Sequence, residues 1–210
     1  MAFLRSAPGP ECYAVRGAKT ALRAFEHADY TAWAALRGQS RTHLVPFEPQ
    51  WQADELERSS FRRRLSHYSR EQRDDLGYAF GIFRLGDDKL LGGLSLSNVR
   101  RGVTQAAALG YWLGLPFVRQ GYMSDAVAAA VAFGAVELKL HRIEAATLPD
   151  NVASIKVLER NGFEREGFAR RYLKINGQWC DHVLFGLVAD DHVRFERPQA
   201  KAGKGVATPS

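Results

Sequence analysis

The chain has 210 residues, of which 46% are hydrophobic and 25% charged, with a formal net charge of +6 and two cysteines, Cys12 and Cys180. A chain of this length can bury one sizeable core without disulfides or a structural metal. The two cysteines are far apart in the sequence, which excludes a disulfide framework and a zinc ribbon and fits a reducing compartment. The apolar runs at residues 106–118 and 126–136 are shorter than the roughly 18 residues that cross a bilayer, and no signal peptide begins the chain, so we expect a cytoplasmic protein.

The first half of the chain alternates strand and helix signals. We predict a strand at residues 19–25, a helix at 28–37, a loop at 42–51 and a helix at 54–69. Pro46 and Pro49 favour the loop because proline has no amide hydrogen to continue a helix. Leu56, Phe61 and Leu65 lie on or near one stripe of the second helix.

The second half contains two predicted hairpins. We predict strands at residues 78–85, 89–97 and 107–115, a helix at 122–138, a strand at 142–147, a helix at 151–161, and strands at 168–175 and 179–188. Gly162 suits a left-handed helix stop with Phe163 as its hydrophobic contact, and Asn176-Gly177 suits a two-residue type I′ turn. The order predicts an α/β (α+β) fold, a mixed sheet covered by helices.

Composition divides the chain into three parts. Residues 1–18 are predicted to be an N-terminal extension, and residues 19–190 one domain. Residues 191–210 are small and polar, so they bury too little to offset the entropy of ordering and are predicted to form a flexible tail.

Positive charge is concentrated in one segment, between Arg58 and Arg73. Its basic residues are Arg58, Arg62, Arg63, Arg64, Arg70 and Arg73. One interpretation is a solvated helix face. The other is a patch for ribosomal RNA or a phosphorylated cofactor, whose mark would be an RNA affinity that depends on salt.

Residues 111–125 run from a strand through a short loop into a long helix. The first turn of a helix has unpaired N–H groups, so it favours phosphate, and Gly121 lets the backbone approach an anion with Arg119 beside it. The alternative interpretation is a tight turn with no ligand, which would use the same residues. No Gly-x-x-x-x-Gly-Lys-Ser/Thr or Gly-x-Gly-x-x-Gly occurs, which disfavours nucleotide triphosphatases and dinucleotide folds.

Residues 149–163 contain a second helix start. Asn151 or Asp150 would cap this helix, and Ser154 lies in its first turn. Taken alone, these polar groups are only caps. Together with the first segment, they place two helix N-termini, separated by one strand, at the same edge of a sheet.

The two segments together resemble a known family. Residues 119–123 (Arg-Gln-Gly-Tyr-Met), 151–154 (Asn-Val-Ala-Ser) and 158–163 (Leu-Glu-Arg-Asn-Gly-Phe) resemble the GCN5-related N-acetyltransferase (GNAT) superfamily. Residues 44–49, 109–112 and 172–179 resemble its ribosomal-protein-alanine N-acetyltransferase branch. The resemblance spans roughly residues 19–188. It implies the GNAT fold, with a mixed, mostly antiparallel central sheet and helices on both faces.

The resemblance also implies acetyl-CoA as cosubstrate and no metal. The family's phosphate loop falls on residues 118–123, where Gly121 matches and Val118 and Met123 depart. The strand ending at Trp112 and Leu113 would splay from its neighbour and pair with the pantetheine arm. The residues assigned to acetyl-CoA are Trp112, Leu113, Val118, Arg119, Gln120, Gly121, Tyr122, Met123, Ser124, Asn151 and Ser154.

The implied reaction is attack of an amine on the acetyl thioester. Only a neutral amine has the lone pair to attack. At pH 7.4 about a quarter or more of α-amino groups are neutral, against about 0.1% of lysine side chains, which is a difference of roughly 3 kcal/mol. We find no unmistakable base, which fits a protein N-terminus better than a lysine side chain.

Three residues are catalytic candidates. Glu144 is the first candidate base; alternatively it forms a surface salt bridge with Arg142 or Arg160. Ser154 could protonate the leaving thiolate, or serve as a helix cap only. Tyr172 could do similar work, although a packed tyrosine is the alternative.

The candidate acceptor-binding residues lie in a proline-bordered loop. Glu48 could hold the substrate amine, with Phe47 beside it; the alternative is a solvated loop. Cys180 is interpreted as a small buried residue and not a nucleophile. The histidine spacing shows no metal-ligand pattern.

Three functions follow in order of preference. The first is acetyl-CoA-dependent acetylation of a protein α-amine, with a ribosomal protein that begins with alanine as the expected acceptor. The second keeps the chemistry and changes the acceptor to a polyamine or an antibiotic, which acidic residues lining the cleft would favour. The third is a non-catalytic module that binds RNA or the ribosome through residues 58–73. A homodimer is left open.

Overall fold

A computed structural model describes residues 15–189, and this part of the chain contains eight strands and five α-helices. The strands are β1 (Val15–Arg16), β2 (Thr20–Arg23), β3 (Gly77–Arg84), β4 (Leu90–Arg100), β5 (Ala106–Leu113), β6 (Arg142–Thr147), β7 (Glu164–Ile175) and β8 (Gln178–Val188). The helices are α1 (Tyr30–Gln39), α2 (Arg41–Leu44), α3 (Arg58–Arg73), α4 (Tyr122–Val136) and α5 (Val152–Arg160). The predicted tail and residues 1–14 lie outside the described residues.

The eight strands form one sheet in the order β1-β2-β3-β4-β5-β6-β8-β7. Neighbours are antiparallel except β5 and β6, so the predicted mixed, mostly antiparallel sheet is confirmed. The parallel pair is short, because Ala106–Ala108 meets Arg142–Glu144 and no later residues pair. Each strand continues beyond that point, so the sheet opens between β5 and β6.

Helices cover both faces of the sheet, as predicted. On one face Phe80 of β3 packs edge-on against Phe133 of α4, with ring centroids 5.4 Å apart. On the other face the guanidinium of Arg37 in α1 lies 5.0 Å from the Trp112 ring of β5. Small side chains let α4 approach the sheet closely: a Cβ on Gly134 would lie 3.0 Å from a methyl group of Ile143.

Two short-range turn predictions are confirmed. Gly162 has φ +80°, its N–H donates to the Glu159 carbonyl, and Phe163 donates to Leu158, which is the hydrogen-bond pattern of a left-handed helix stop. Asn176 and the glycine after it have φ +45° and +83°, as a type I′ turn requires.

The largest departures from the predicted elements are in three segments. The predicted loop at 42–51 contains most of α2 and a 3₁₀ turn at Val45–Phe47, because Leu44 is buried and proline is tolerated in a first turn. The second predicted helix begins at Arg58 and not at residue 54, and it runs to Arg73. Strand β7 begins at Glu164, four residues early, since its exposed edge carries polar side chains that hide the strand pattern.

Candidate active site

A cleft of about 1430 Å³ lies where β5 and β6 diverge. All the residues assigned to acetyl-CoA line it except Gln120, and so do Phe47 and Glu48 from the acceptor side. Glu144 and Tyr172 do not line it. The topology therefore brings the starts of α4 and α5 and the segment that follows α2 together in one continuous cavity.

The loop before α4 has the backbone shape of an anion site. Arg119 and Gly121 have φ +63° and +81°, and Gly121 is the N-cap of α4. Left-handed residues at a helix start turn successive N–H groups to one side, which cradles anions. The Gln120 amide donates to the Pro116 carbonyl at 3.0 Å, so this side chain fixes the turn and does not face the cleft.

A lysine that the sequence analysis did not assign lies at this loop. The Nζ of Lys19 donates to the Gln120 carbonyl at 3.3 Å, although the two residues are 101 positions apart. Lys19 therefore adds a second positive charge beside Arg119. The position of Lys19 depends on the β1–β2 hairpin. No pattern in the nearby sequence indicates that this hairpin contacts the loop before α4.

Asp125, in the first turn of α4, holds that hairpin in place. Its carboxylate accepts hydrogen bonds from the backbone N–H groups of Ala18, Lys19 and Thr20 at 2.8–3.0 Å and from the Thr20 hydroxyl at 2.6 Å. Burial alone would raise the pKa of Asp125, but these hydrogen bonds outweigh it and hold the pKa below its ordinary value.

We expect Asp125→Asn to lower the free energy of unfolding by about 1–2 kcal/mol at pH 7, because an amide bonds these donors less strongly than a carboxylate and the site is partly exposed. Because the pKa of Asp125 is lowered in the folded state, its carboxylate stabilises the fold at pH values above the ordinary carboxylate pKa. This stabilisation is lost as the pH falls through the folded-state pKa. Urea unfolding across pH should therefore show the two proteins converging below about pH 4. A stability gap that widens with acid would contradict this assignment.

Two hydroxyl groups meet where β5 faces α5. The Tyr111 hydroxyl lies 2.8 Å from Ser154 Oγ, and we call these two groups the hydroxyl pair. Asn151 caps α5 by accepting from the Ser154 N–H at 3.1 Å. The helix cap thus uses the side chain of Asn151 and the backbone N–H of Ser154, while the Ser154 hydroxyl is bonded to Tyr111.

Tyr111 is a functional candidate that sequence reasoning missed. Burial raises the pKa of Tyr111 to about 12, and the hydrogen bond with Ser154 lowers it by less. The phenol therefore stays protonated at neutral pH and can share its proton with Ser154. The sequence placed Tyr111 in a strand beside the loop and in the 109–112 motif, but neither signal indicated its contact with Ser154.

Glu48 lies in the cleft but its carboxylate is already bonded. Oε2 accepts from Arg37 at 2.6 Å and from the Trp51 indole at 2.7 Å, while Oε1 accepts from Arg37 at 3.1 Å. Arg37 is 5% exposed and also donates to Glu55 at 3.3 Å. The structure therefore disfavours the alternative of a solvated loop, because Glu48 belongs to an ordered, ion-paired wall of the cleft.

The two remaining catalytic candidates lie outside the cleft. The Glu144 carboxylate bonds Arg100 and, at 3.1 Å, Arg142, so the geometry favours the salt-bridge alternative over a base. Tyr172 is 49% exposed, and its ring packs edge-on against His182. Cys180 is half-buried and its thiol donates to a backbone carbonyl.

The basic segment is partly neutralised by its own neighbours. Arg63 pairs with Asp54 and Arg64 with Glu55, while Arg58 lies 4.4 Å from the Tyr30 ring. Contact with RNA through this segment stays a prediction, as does the homodimer.

Comparison with known proteins assigns the family. Residues 19–164 match the model of the acetyltransferase (GNAT) domain. The chain is 36% identical to a probable N-acetyltransferase, YjcK, of Bacillus subtilis, over 84% of this chain and 98% of that protein. It is 35% identical to the [ribosomal protein uS5]-alanine N-acetyltransferase of Escherichia coli, over 78% of this chain and 85% of that one.

Solved structures agree with this assignment. RimJ from Mycobacterium smegmatis in complex with CoA-disulfide has a TM-score of 0.78 at 31% identity, covering 82% of this chain and 83% of that one. The ribosomal-protein-S5-alanine acetyltransferase of Vibrio fischeri has a TM-score of 0.76 at 32% identity, covering 82% and 94%.

The fold and the cleft define an acetyltransferase, and the chain belongs to the GNAT family. It is an N-acetyltransferase related to the enzymes that acetylate ribosomal proteins. Within residues 15–189, no group of His, Cys, Asp and Glu side chains could hold a metal ion. None of the helices described here is both long and apolar enough to span a membrane, and the cytoplasmic location stays a prediction.

Proposed function

We propose that this enzyme transfers acetyl from acetyl-CoA to the α-amine of a protein N-terminus, with ribosomal proteins that begin with alanine as the acceptor class. The observation that carries this proposal is the charge of the cleft. As far as residues 15–189 are concerned, the acceptor side contains an ordered ion-pair wall and no free acidic cluster.

The cleft fits an anionic, elongated coenzyme. The N–H groups around Gly121 and the charges of Arg119 and Lys19 would hold its pyrophosphate. The unpaired edge of β5 at Trp112 and Leu113 would hydrogen-bond its amide-containing arm. Bound acetyl-CoA supplies an acetyl thioester with a leaving group that needs a proton.

The charge balance favours a peptide over a polycation. Three carboxylates and five lysines or arginines line the cleft, and they are Glu48, Glu55, Asp150, Arg37, Arg64, Arg119, Lys156 and Arg160. Two of the carboxylates, Glu48 and Glu55, are bonded to Arg37. A polyamine or an aminoglycoside would find no unpaired acidic wall there, whereas a peptide with one amine requires none.

The hydroxyl pair would supply the proton to the leaving thiolate. Tyr111 is protonated at neutral pH and hydrogen-bonded to Ser154, so the serine can donate while the tyrosine replaces its proton. Glu48 would line the path of the incoming N-terminus, and Phe47, which is 40% exposed, would contact the acceptor at the rim.

The experiment is transfer from labelled acetyl-CoA to a matched acceptor panel. The panel contains peptides that begin with Ala, Ser or Met, the same peptides with blocked termini and one lysine, a polyamine and an aminoglycoside. We expect label on the free Ala or Ser termini. Label on only the blocked lysine peptides, or on only the polycations, would contradict the proposed acceptor.

A further inference from the structure

A buried histidine that none of the functional predictions used lies in the acceptor part of the cleft. His182 of β8 is 2% exposed and lines the cleft. Its Nδ1 lies 2.9 Å from the carbonyl oxygen of Cys180. Because a carbonyl oxygen only accepts hydrogen bonds, Nδ1 carries the proton of the neutral ring and the lone pair lies on Nε2.

The structure leaves Nε2 of His182 without a side-chain or backbone partner among residues 15–189, while the residue lines the cleft. Among the described residues, Arg37 Nε is the one fully buried side-chain nitrogen or oxygen atom that has no hydrogen-bond partner. Nε2 of His182 is therefore not fully buried. The Tyr172 ring packs edge-on against the imidazole, with centroids 5.9 Å apart.

The pleat of the sheet places His182 on the face opposite the hydroxyl pair. Thr147 of β6 lies directly across from Val183, so these two share a face and the adjacent His182 points to the other. Ile143, on the face of Thr147, packs against Gly134 of α4. His182 therefore lies on the acceptor face, and the hydroxyl pair lies on the face of α4 and α5.

Glu144 and Glu48, the two carboxylates among the predicted catalytic and acceptor residues, are poorly placed to take a proton. Glu144 lies outside the cleft and is bonded to two arginines. Both oxygens of Glu48 already accept from Arg37, and one also accepts from Trp51. His182 differs from both because one nitrogen is anchored and the other is free.

We propose that Nε2 of His182 accepts the proton of the acceptor α-amine as the amide forms. This role rests on the proposed function. As the new N–C bond forms and the C–S bond breaks, the amine proton passes to Nε2 and the thiolate takes a proton from the hydroxyl pair. Solvent then removes the proton from the ring and restores the hydroxyl proton, so the net products are an acetylated terminus and a free thiol.

The test compares His182→Gln with the wild type on two acceptor peptides. One begins with alanine and the other with trifluoroalanine, whose amine is a weaker base and is mostly neutral at the assay pH. We expect kcat to fall about 100-fold for the alanine peptide and by much less for the fluorinated one, with the KM for acetyl-CoA unchanged. His141→Gln, at an exposed histidine before β6, is the matched control and should keep full activity.

A measurement without turnover tests the same assignment. Nitrogen NMR of histidine-labelled protein should show that the neutral form of the His182 ring carries its proton on Nδ1. If His182→Gln does not fold, His182→Asn keeps a donor near the Cys180 carbonyl and serves in its place.

Several outcomes would overturn the role. These are equal losses for the two peptides, an undiminished kcat, or a proton on Nε2 of the neutral ring. A wild type that acetylates no α-amine contradicts the proposed function and this role with it. An active wild type with a fully active variant contradicts the role alone.

Discussion

Ser154→Ala and Tyr111→Phe should each lower kcat by about 100-fold or more, with little change in the affinity for acetyl-CoA. The hydroxyl pair is one hydrogen-bonded unit, and a positioned acid contributes roughly this factor. The effects on kcat of mutating residues that act as a unit are not additive, so the double variant should be about as slow as the slower single variant. Steady-state kinetics with an alanine peptide and calorimetry with acetyl-CoA measure both quantities.

The chain offers a matched tyrosine control for this experiment. Tyr78 also has a hydroxyl held by one partner, Asp75, at 2.8 Å, and a pKa raised to about 12, but it lies outside the cleft. Tyr78→Phe should therefore leave kcat unchanged. A double variant with wild-type kcat, or one whose two losses multiply, would contradict the shared proton role.

Gly121→Val should weaken acetyl-CoA binding by about 30-fold or more and also destabilise the fold by roughly 1–2 kcal/mol. The position has φ +81°, where an L-residue and especially a β-branched one is strained. The added side chain would also stand where the backbone must approach the phosphates, and its Cβ would lie 3.4 Å from Lys19 Nζ. Calorimetry measures the affinity, and urea unfolding measures the stability.

Gly102→Val separates the two effects. Gly102 has φ +68° and no atom near its added Cβ, and it is not part of the cleft. The two variants should lose similar stability, while only Gly121→Val loses affinity. Equal affinity in both variants would show that the α4 loop does not hold the coenzyme.

The local features of this protein could be predicted because neighbouring residues determine them. Gly162 stops α5 since few other residues adopt its left-handed backbone, and Asn176 with its glycine closes a hairpin for the same reason. Asn151 caps α5 through a side chain three residues from its donor. The start of α4 at Gly121 follows from the same local chemistry.

Edge and loop boundaries were harder to predict for a definite physical reason. Strand β7 carries exposed polar residues at Glu164 and Glu166, so it shows no alternation of hydrophobic and polar residues. The 3₁₀ turn at Val45–Phe47 is stabilised by burial of the preceding Leu44 and not by a sequence signal. Tertiary contacts outweighed local propensity in both segments.

Thus the sequence by itself determined the family, the order of the elements and the loop proposed to hold the coenzyme, because these depend on residues close together in the chain. Only the tertiary structure decided the partners of the groups proposed to react. Tyr111 reaches Ser154 across 43 positions, Lys19 reaches the α4 loop across 101, and His182 turns to the face proposed to receive the acceptor through the register of β8 with β6. Such pairings arise from how the sheet orders and pleats its strands, which is a property of the whole chain.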